Sequence, residues 1–415
     1  MTATPHARGT PGYRRLTLAM LFAGFSTFSL LYAAQPLLPT FARAFDLSAE
    51  GASLAVSIAT GPLAIGILVA GALSDRWGRR PMMVAAMFAA GVATLLAAVA
   101  PGWGSLLACR MLTGVALAGV PAVAMAYVAE EVDAASVGSA MGLYIAGTAI
   151  VGMAGRIGVS LIASAADGLV SGVAGWRWAL GAVGLVGLAM AEAFRRLAPP
   201  SAQFVARGAR RQAPHVGARA LLRDAALPWL YLEGFVLMGV FVTVYNYAAF
   251  RLEGAPYRLG QATVSAIFLL YLVGSASSAW FGGMAGRIGR RLVFPVPVAL
   301  LIAGVALTAA APLALVVAGI ALVTVGFFGA HSIASAWVGR RALAARGQAA
   351  ALYLFFYYLG SSVLGSAGGV AWTRGGWPGV AWFCLALGAV ALAGAAALWR
   401  VAPLPAATPM TLVEG

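Results

Sequence analysis

The chain has 415 residues, of which 62% are hydrophobic and only 9% charged. A soluble domain carries about 25% charged residues, so a freely soluble globular protein is excluded. All 27 basic residues are Arg, against 12 acidic ones, for a formal net charge of +15; they fall in short gaps between apolar runs rather than on one soluble face, which argues against nucleic acid and for the charge bias of cytoplasmic loops.

The apolar runs are about 20 residues long, the length a helix needs to cross about 30 Å of hydrocarbon. Helices are expected because they satisfy their own backbone there. Residues 1–15 are polar and basic and form a cytoplasmic tail. The run from Leu16 to Leu38 that comes next is too long for the apolar part of a signal peptide and reads as a retained first helix. Spans are expected at 16–38, 52–73, 81–100, 103–127, 138–162 and 177–197, together an N-terminal bundle over 16–197. They resume at 227–250, 262–284, 292–311, 313–337, 348–372 and 378–399, a second bundle over 227–399 before a tail at 400–415.

Between the bundles, residues 198–226 carry Pro199, Pro200, Pro214, Arg207, Arg210, Arg211 and Arg219. They read as a cytoplasmic linker, in preference to a regulatory or lipid-binding segment. An even number of spans puts both termini on one side. With that side cytoplasmic, Arg14, Arg15, and the groups within 76–80, 195–223, 287–291 and 340–346 lie there, while the other side keeps only a few, such as Arg43, Arg251, Arg258 and Arg374. Cys109 and Cys384 lie inside apolar runs without metal-ligand spacing, so neither a disulfide nor a metal site is expected.

The second and third spans are joined by Gly71-Ala-Leu-Ser-Asp75-Arg76-Trp-Gly78-Arg79-Arg80. The eighth and ninth are joined by Gly282-Gly-Met-Ala-Gly286-Arg287-Ile-Gly289-Arg290-Arg291. The Gly, Arg, Gly, Arg, Arg spacing is the same in both. The fifth span opens with Gly138, Leu143 and Tyr144 at the spacing of Gly347, Leu352 and Tyr353 in the eleventh. Two markers in one order, about 210 residues apart, indicate a duplicated six-helix unit, and two such halves suit alternating access around a central site. Gly71, Gly78 and Gly289 permit tight turns; Asp75 can cap a helix or pair with Arg; Arg76, Arg79, Arg80, Arg287, Arg290 and Arg291 anchor the loops. These ten form a candidate gate, the plainer reading being a topogenic basic loop.

On these motifs the chain resembles the major facilitator superfamily over essentially its whole length. Gly71 to Arg80 is similar to that superfamily's signature loop, and the second copy is degenerate, with Gly286 where the first has Asp75. Leu31-Tyr-Ala-Ala-Gln35-Pro36-Leu-Leu-Pro39, Arg110-Met-Leu-Thr-Gly114 and the Gly-rich fifth span resemble the drug:proton antiporter and arabinose-efflux-permease branch. The fifth span departs from that pattern: Arg156, not Pro, follows Gly155. The resemblance implies an all-α membrane fold of twelve helices in two pseudo-symmetric bundles.

Ionisable groups in hydrocarbon are costly and are functional candidates. Arg110, in the fourth span, can bond backbone carbonyls or Gln35; the resemblance implies a part in proton relay. Glu233 reads as the sole carboxylate well inside a span. Burial raises a carboxylate's pKa in general, so such an acid suits proton loading, unless it sits at the interface and pairs with Arg. His331, in the tenth span, is expected at a similar depth, and a Glu233–His331 pair is possible; a core histidine bonded to a carbonyl is the plainer reading. Arg156 is placed near an interface, where it would snorkel.

Tyr32, Gln35, Asn246, Tyr353 and Tyr357 are the candidate cavity residues, since hydroxylated aromatics and amides suit flat or amphipathic organic molecules, though aromatics also serve helix packing. Gly142, Gly147, Gly152 and Gly155 are expected to let helices approach closely. No phosphate-binding loop, metal cluster or hydrolase motif is recognised, so no cofactor is expected and a proton gradient is the energy source. The reading is a monomeric, proton-coupled exporter of small organic compounds (drugs, sugars or metabolites) in a bacterial inner membrane. Its partners are substrate, protons and lipid. The rivals are an importer or facilitator and, more remotely, a membrane-embedded enzyme or a sensor.

Overall fold

A computed structural model of the chain describes residues 5–133, 136–169, 172–202 and 217–402. Arg207, Arg210, Arg211 and Pro214 of the linker lie outside them. Among the described residues the structure is helical throughout, with one isolated bridge between His6 and Val132.

Eleven helical runs are long and apolar enough to cross a membrane. The last, Arg346–Arg400, has 55 residues, about 80 Å if straight, far beyond a hydrocarbon core of about 30 Å. It is two helices: Gly376 has φ 56° and ψ −146°, and Pro378 follows, so the chain turns back there. The twelve spans are α1 (Pro11–Phe45), α2 (Ala49–Trp77), α3 (Arg79–Ala98), α4 (Trp103–Glu131), α5 (Val137–Leu169), α6 (Gly175–Leu197), α7 (Leu227–Glu253), α8 (Gln261–Ile288), α9 (Arg290–Thr308), α10 (Leu313–Arg341), α11 (346–375) and α12 (377–400). Each crossing reverses direction, so the helix ends fall on two faces, a terminal face where α1 begins and α12 ends, and a far face.

Several helices are broken rather than ideal. α1 pauses at a 3₁₀ turn, Gln35–Leu37, with Pro36 inside it and Pro39 beginning the next piece. α4 breaks between Leu117 and Pro121, where Pro121 opens the second piece. Proline lacks the N–H a continuous helix would use, so it falls where a break is already made.

The two halves pack by the same rules. α1 lies on α5 as α7 lies on α11; α3 lies on α6 as α9 lies on α12; α2 lies on α4 as α8 lies on α10. The pairing depends on glycine, because lipid supplies no hydrophobic drive between helices and close packing must. A Cβ at Gly147 or Gly155 on α5 would lie 2.4 Å from Leu21 or Ser29 on α1, and one at Gly360 or Gly368 on α11 would lie 2.0 or 2.4 Å from Phe235 or Thr243 on α7. The glycines recur at one spacing in both halves. A Cβ at Gly152 would meet Phe28 at 3.4 Å; the surroundings of Gly142 lie outside those described. Gly360→Val is expected to cost about 3 kcal/mol or more, since the contact is Phe235's carbonyl oxygen, which cannot swing away. Detergent thermal-stability measurement checks it; an unchanged melting point would contradict the packing.

The bundles meet along α2 with α11 and along α5 with α8, pairs that exchange when the halves are interchanged. On the terminal face, Asp224 accepts from the Ala226 and Leu227 N–H groups at 2.8 and 3.0 Å and from Arg341 at 2.9 Å, tying the start of α7 to the end of α10. Burial alone would raise its pKa; the Arg341 guanidinium and the two N–H groups outweigh that and hold the carboxyl below the usual aspartate value.

Candidate functional site

The halves enclose a central cavity of about 320 Å³. α1 contributes Phe28, Tyr32 and Gln35; α5 contributes Thr148, Gly152 and Arg156; α7 contributes Met238, Phe241 and Val242. From α8 come Tyr271, Ser275, Ser278 and Ala279, from α10 Phe327, Phe328 and His331, and from α11 Tyr357. Each half gives its first and fifth helix or their counterparts, which is what two rocking bundles around one pocket require.

Arg156 is the one charge on these walls that is permanent. It is 4% exposed, well inside the fold rather than snorkelling to an interface. Its Nε donates to Gln35 Oε1 at 2.8 Å and its Nη1 to the Gly152 carbonyl at 2.7 Å. Its guanidinium lies 4.5 Å from the Tyr32 ring centroid and 5.2 Å from that of Tyr271. Such ring faces supply about 0.5–2 kcal/mol each, less than the several kcal/mol that a desolvated ion costs. Sequence fixes the depth of a residue along a helix but not which way it faces, so Arg156 read as an interface residue. Its sequence signal was Gly152, one turn earlier, whose missing side chain makes room.

Gln35 passes the interaction on: its Nε2 donates to Asn246 Oδ1 at 2.9 Å. Arg156, Gln35 and Asn246 thus link α5, α1 and α7 across the two halves. Asn246 does not line the cavity but closes it on the far side. Of the other cavity candidates, Tyr32, Gln35 and Tyr357 line it, whereas Tyr353 stands behind, its hydroxyl 2.9 Å from His331 Nδ1. The aromatic wall is continuous, with Phe241 and Phe327 stacked at 4.0 Å and His331 and Tyr357 tilted, 4.8 Å between centroids.

Arg110 is wholly buried and turned away from the cavity. Its Nε donates to the Ala55 carbonyl at 3.0 Å, its Nη1 to the Leu30 carbonyl at 2.8 Å and its Nη2 to that of Leu31. The last two carbonyls are among those that the break in α1 leaves without helical N–H partners, so Arg110 caps that break. Gln35, the other partner considered for it, goes to Arg156.

Glu233 is 1% exposed, and neither carboxyl oxygen has a hydrogen-bond partner among the described residues. It faces α12, not the cavity: a Cβ at Gly394 would lie 2.5 Å from its Oε1. The direct Glu233–His331 pair is therefore corrected. The next residue, Gly234, packs against the Tyr353 ring, and the Tyr353 hydroxyl bonds His331. One tyrosine thus touches the residue after the acid with its ring and the imidazole with its hydroxyl.

On the terminal face the two loop motifs adopt one conformation. Gly78 has φ 92° and Gly289 φ 102°, a region that side chains disfavour. Arg79 pairs with Asp75 at 2.7 Å and with Glu130 at 3.0 Å. Arg80 donates to the Ala198 and Arg195 carbonyls at 2.9 and 2.6 Å. Gly71 and Arg76 lie beside this cluster, with Arg76 exposed. Glu130 was not singled out from sequence; its place one residue before the end of α4 was the only cue. In the second copy Gly286 replaces the acid, and Arg287, Arg290 and Arg291 make no ion pair among the described residues. A cleft of about 670 Å³ opens on this face between Asp75, Arg79 and Met125 of one half and Ser335, Gly339 and Arg346 of the other.

The far face is shut. Arg43 pairs with Glu253 at 3.0 Å, and Thr40 donates to Gln261 Oε1 at 3.2 Å. Ser366 Oγ donates to Ser57 Oγ at 2.7 Å and Ser362 Oγ to the Ser57 carbonyl at 2.8 Å. Every one of these joins the N-terminal half to the C-terminal half.

Residues 20–363 match the family described as Major Facilitator Superfamily. The chain is 44% identical to the inner membrane transport protein YnfM of Escherichia coli (strain K12), over 93% of this chain and 90% of that one. It is 43% identical to the MFS-type transporter YybF of Bacillus subtilis (strain 168), over 90% of each. Among solved structures, an inward-facing, occupied bacterial homologue of the human lysosomal transporter spinster superposes with a TM-score of 0.71 at 14% identity, over 94% of this chain and 95% of that one. The nucleoside transporter NupG gives 0.71 at 14% identity, over 92% and 98%.

Proposed function

The chain belongs to the major facilitator superfamily of membrane transporters, and we propose that it is a proton-coupled antiporter exporting small organic compounds across a bacterial inner membrane. The observation that carries this reading is Glu233, a carboxyl group inside a membrane span, with no hydrogen-bond partner among the described residues and next in sequence to Gly234, whose neighbour Tyr353 bonds a histidine on the cavity wall. A buried acid without a structural partner is costly and is retained for work. In this reading Glu233 takes the proton outside the cavity, and Tyr353 and His331 couple its protonation to the opening and closing of the two faces, so that proton and substrate cross in turn. Arg110 holds the break in α1 that places Gln35 rather than handling protons itself.

The terminal face is the cytoplasmic one, because the Arg clusters of the α2–α3, α8–α9 and α10–α11 connections lie there. The cleft beside Asp75 and Arg79 then opens inward while the far face is latched. Asp75, Arg79 and Glu130, with the degenerate second loop, form the gate that must close this cleft when the latch opens. Export, rather than import, rests on the resemblance of Gly71–Arg80 and Arg110–Gly114 to the antiporter branch.

Everted membrane vesicles energised to an acid interior test this. Adding a transported compound from a panel of dyes, antibiotics, sugars and aromatic acids is expected to collapse the proton gradient in vesicles containing the protein and not in empty ones. A compound taken up with no proton movement would point to a facilitator; one whose entry deepens the gradient would reverse the direction.

A further inference from the structure

We propose that the central cavity is built for an organic anion with a flat aromatic body, its acid group seated on Arg156. The inference deepens the transport reading and rests on it for every step after binding, but binding itself can be measured without transport.

The first observation is an uncompensated charge. Arg156 is 4% exposed, and no Asp or Glu is among the residues lining the cavity. Among the described residues it makes no ion pair, and its two polar partners, Gln35 and the Gly152 carbonyl, occupy only Nε and Nη1. No acceptor among the described residues meets Nη2. A guanidinium presents a planar fork that matches a carboxylate with two parallel hydrogen bonds. Its two hydrogen bonds fix the group, and the rings of Tyr32 and Tyr271 pack against it at 4.5 and 5.2 Å, so an incoming acid meets a positioned cation.

The second observation is the wall. Phe241 and Phe327 stack face to face at 4.0 Å, and His331 and Tyr357 extend the surface. Rings of this kind take a flat body by stacking or edge contact. The volume, about 320 Å³, sits at the small end of organic-ligand sites and suits one or two fused rings rather than a peptide or an acyl chain. A cation placed here would stand against Arg156 with no carboxylate to receive it, so the walls select by charge as well as shape.

Three probes of one shape separate the terms: 2-naphthoate, 2-naphthamide and 2-naphthamidine carry charges of −1, 0 and +1 on the same rings. Their binding to the purified full chain in lipid nanodiscs is to be measured by ligand-dependent thermal stability. Naphthoate is expected to bind at least about tenfold more tightly than the amide, and the amidine not to saturate. Arg156→Gln should erase the gap between acid and amide, and Arg156→Lys should keep the order at lower affinity. Should Arg156→Gln fail to fold, the wild-type order together with the Lys variant decides. Equal binding of all three, tightest binding of the amidine, or no binding of naphthoate would each overturn the proposal. Naphthoate binding without proton movement in everted vesicles would uphold the anion site and remove proton coupling; proton movement driven only by cations would do the reverse.

Discussion

Glu233→Gln is expected to leave a folded, membrane-inserted protein that no longer exchanges protons for substrate. The carboxamide has the shape of the acid, and the space that Gly394 leaves beside it is unchanged. Neither carboxyl oxygen receives a hydrogen bond among the described residues, so no described contact is broken by the change, and a neutral group in that place removes the cost of a lone buried charge. Thermal stability should hold or rise. Substrate-driven proton movement in everted vesicles should fall by about 100-fold, the scale of losing one positioned proton-transfer group, while substrate binding to the cavity persists because Glu233 is not on its wall. A variant that still moves protons at the wild-type rate would remove Glu233 from the mechanism. Loss of binding together with exchange would show instead that Glu233 shapes the cavity through Tyr353. Tyr353→Phe discriminates further: it deletes the hydroxyl that meets His331 at 2.9 Å and leaves the ring against Gly234.

Much of the architecture was legible because lipid imposes a period. Runs of about 20 apolar residues can only be spans, and the two copies of the Gly-Arg-Gly-Arg-Arg loop disclose the duplication; Gly78 and Gly289 share a left-handed backbone that the repeated glycine anticipates. Direction around a helix was not legible. Glu233 and His331 face different neighbours, α12 and the cavity, because Gly394 rather than the sequence near Glu233 decides where the acid fits. Arg110 and Arg156 look alike in sequence, each an Arg in a Gly-rich span. The first caps carbonyls freed by a break in α1 and the second faces ligand space, a difference set by helices some 80 and 120 residues away. The Arg79–Glu130 pair was hidden for the same reason, since its partners sit on separate helices.

A double variant Ser57→Cys/Ser366→Cys, made with Cys109 and Cys384 replaced, is expected to stop transport when oxidised and regain it on reduction. The two hydroxyl oxygens lie 2.7 Å apart, on α2 and α11 of opposite halves, and cysteine is nearly the shape of serine, so a bridge fits with little movement. The noncovalent latch around this point is weak. The Arg43–Glu253 pair is exposed on its arginine side and is worth about 1 kcal/mol or less, and each buried hydrogen bond adds about 1 kcal/mol net. A handful of such contacts sums to a few kcal/mol, the gap that lets a minor state remain populated, so the far face can open as the Asp75–Arg79–Glu130 gate closes. A disulfide cannot follow that exchange. It holds every molecule with α2 against α11, and turnover should drop about tenfold or more relative to the reduced protein. Binding from the open side should survive. If mass spectrometry shows a complete cross-link and the protein still transports at its reduced rate, α2 and α11 do not part during the cycle, and the two halves do not rock about the cavity that contains Arg156.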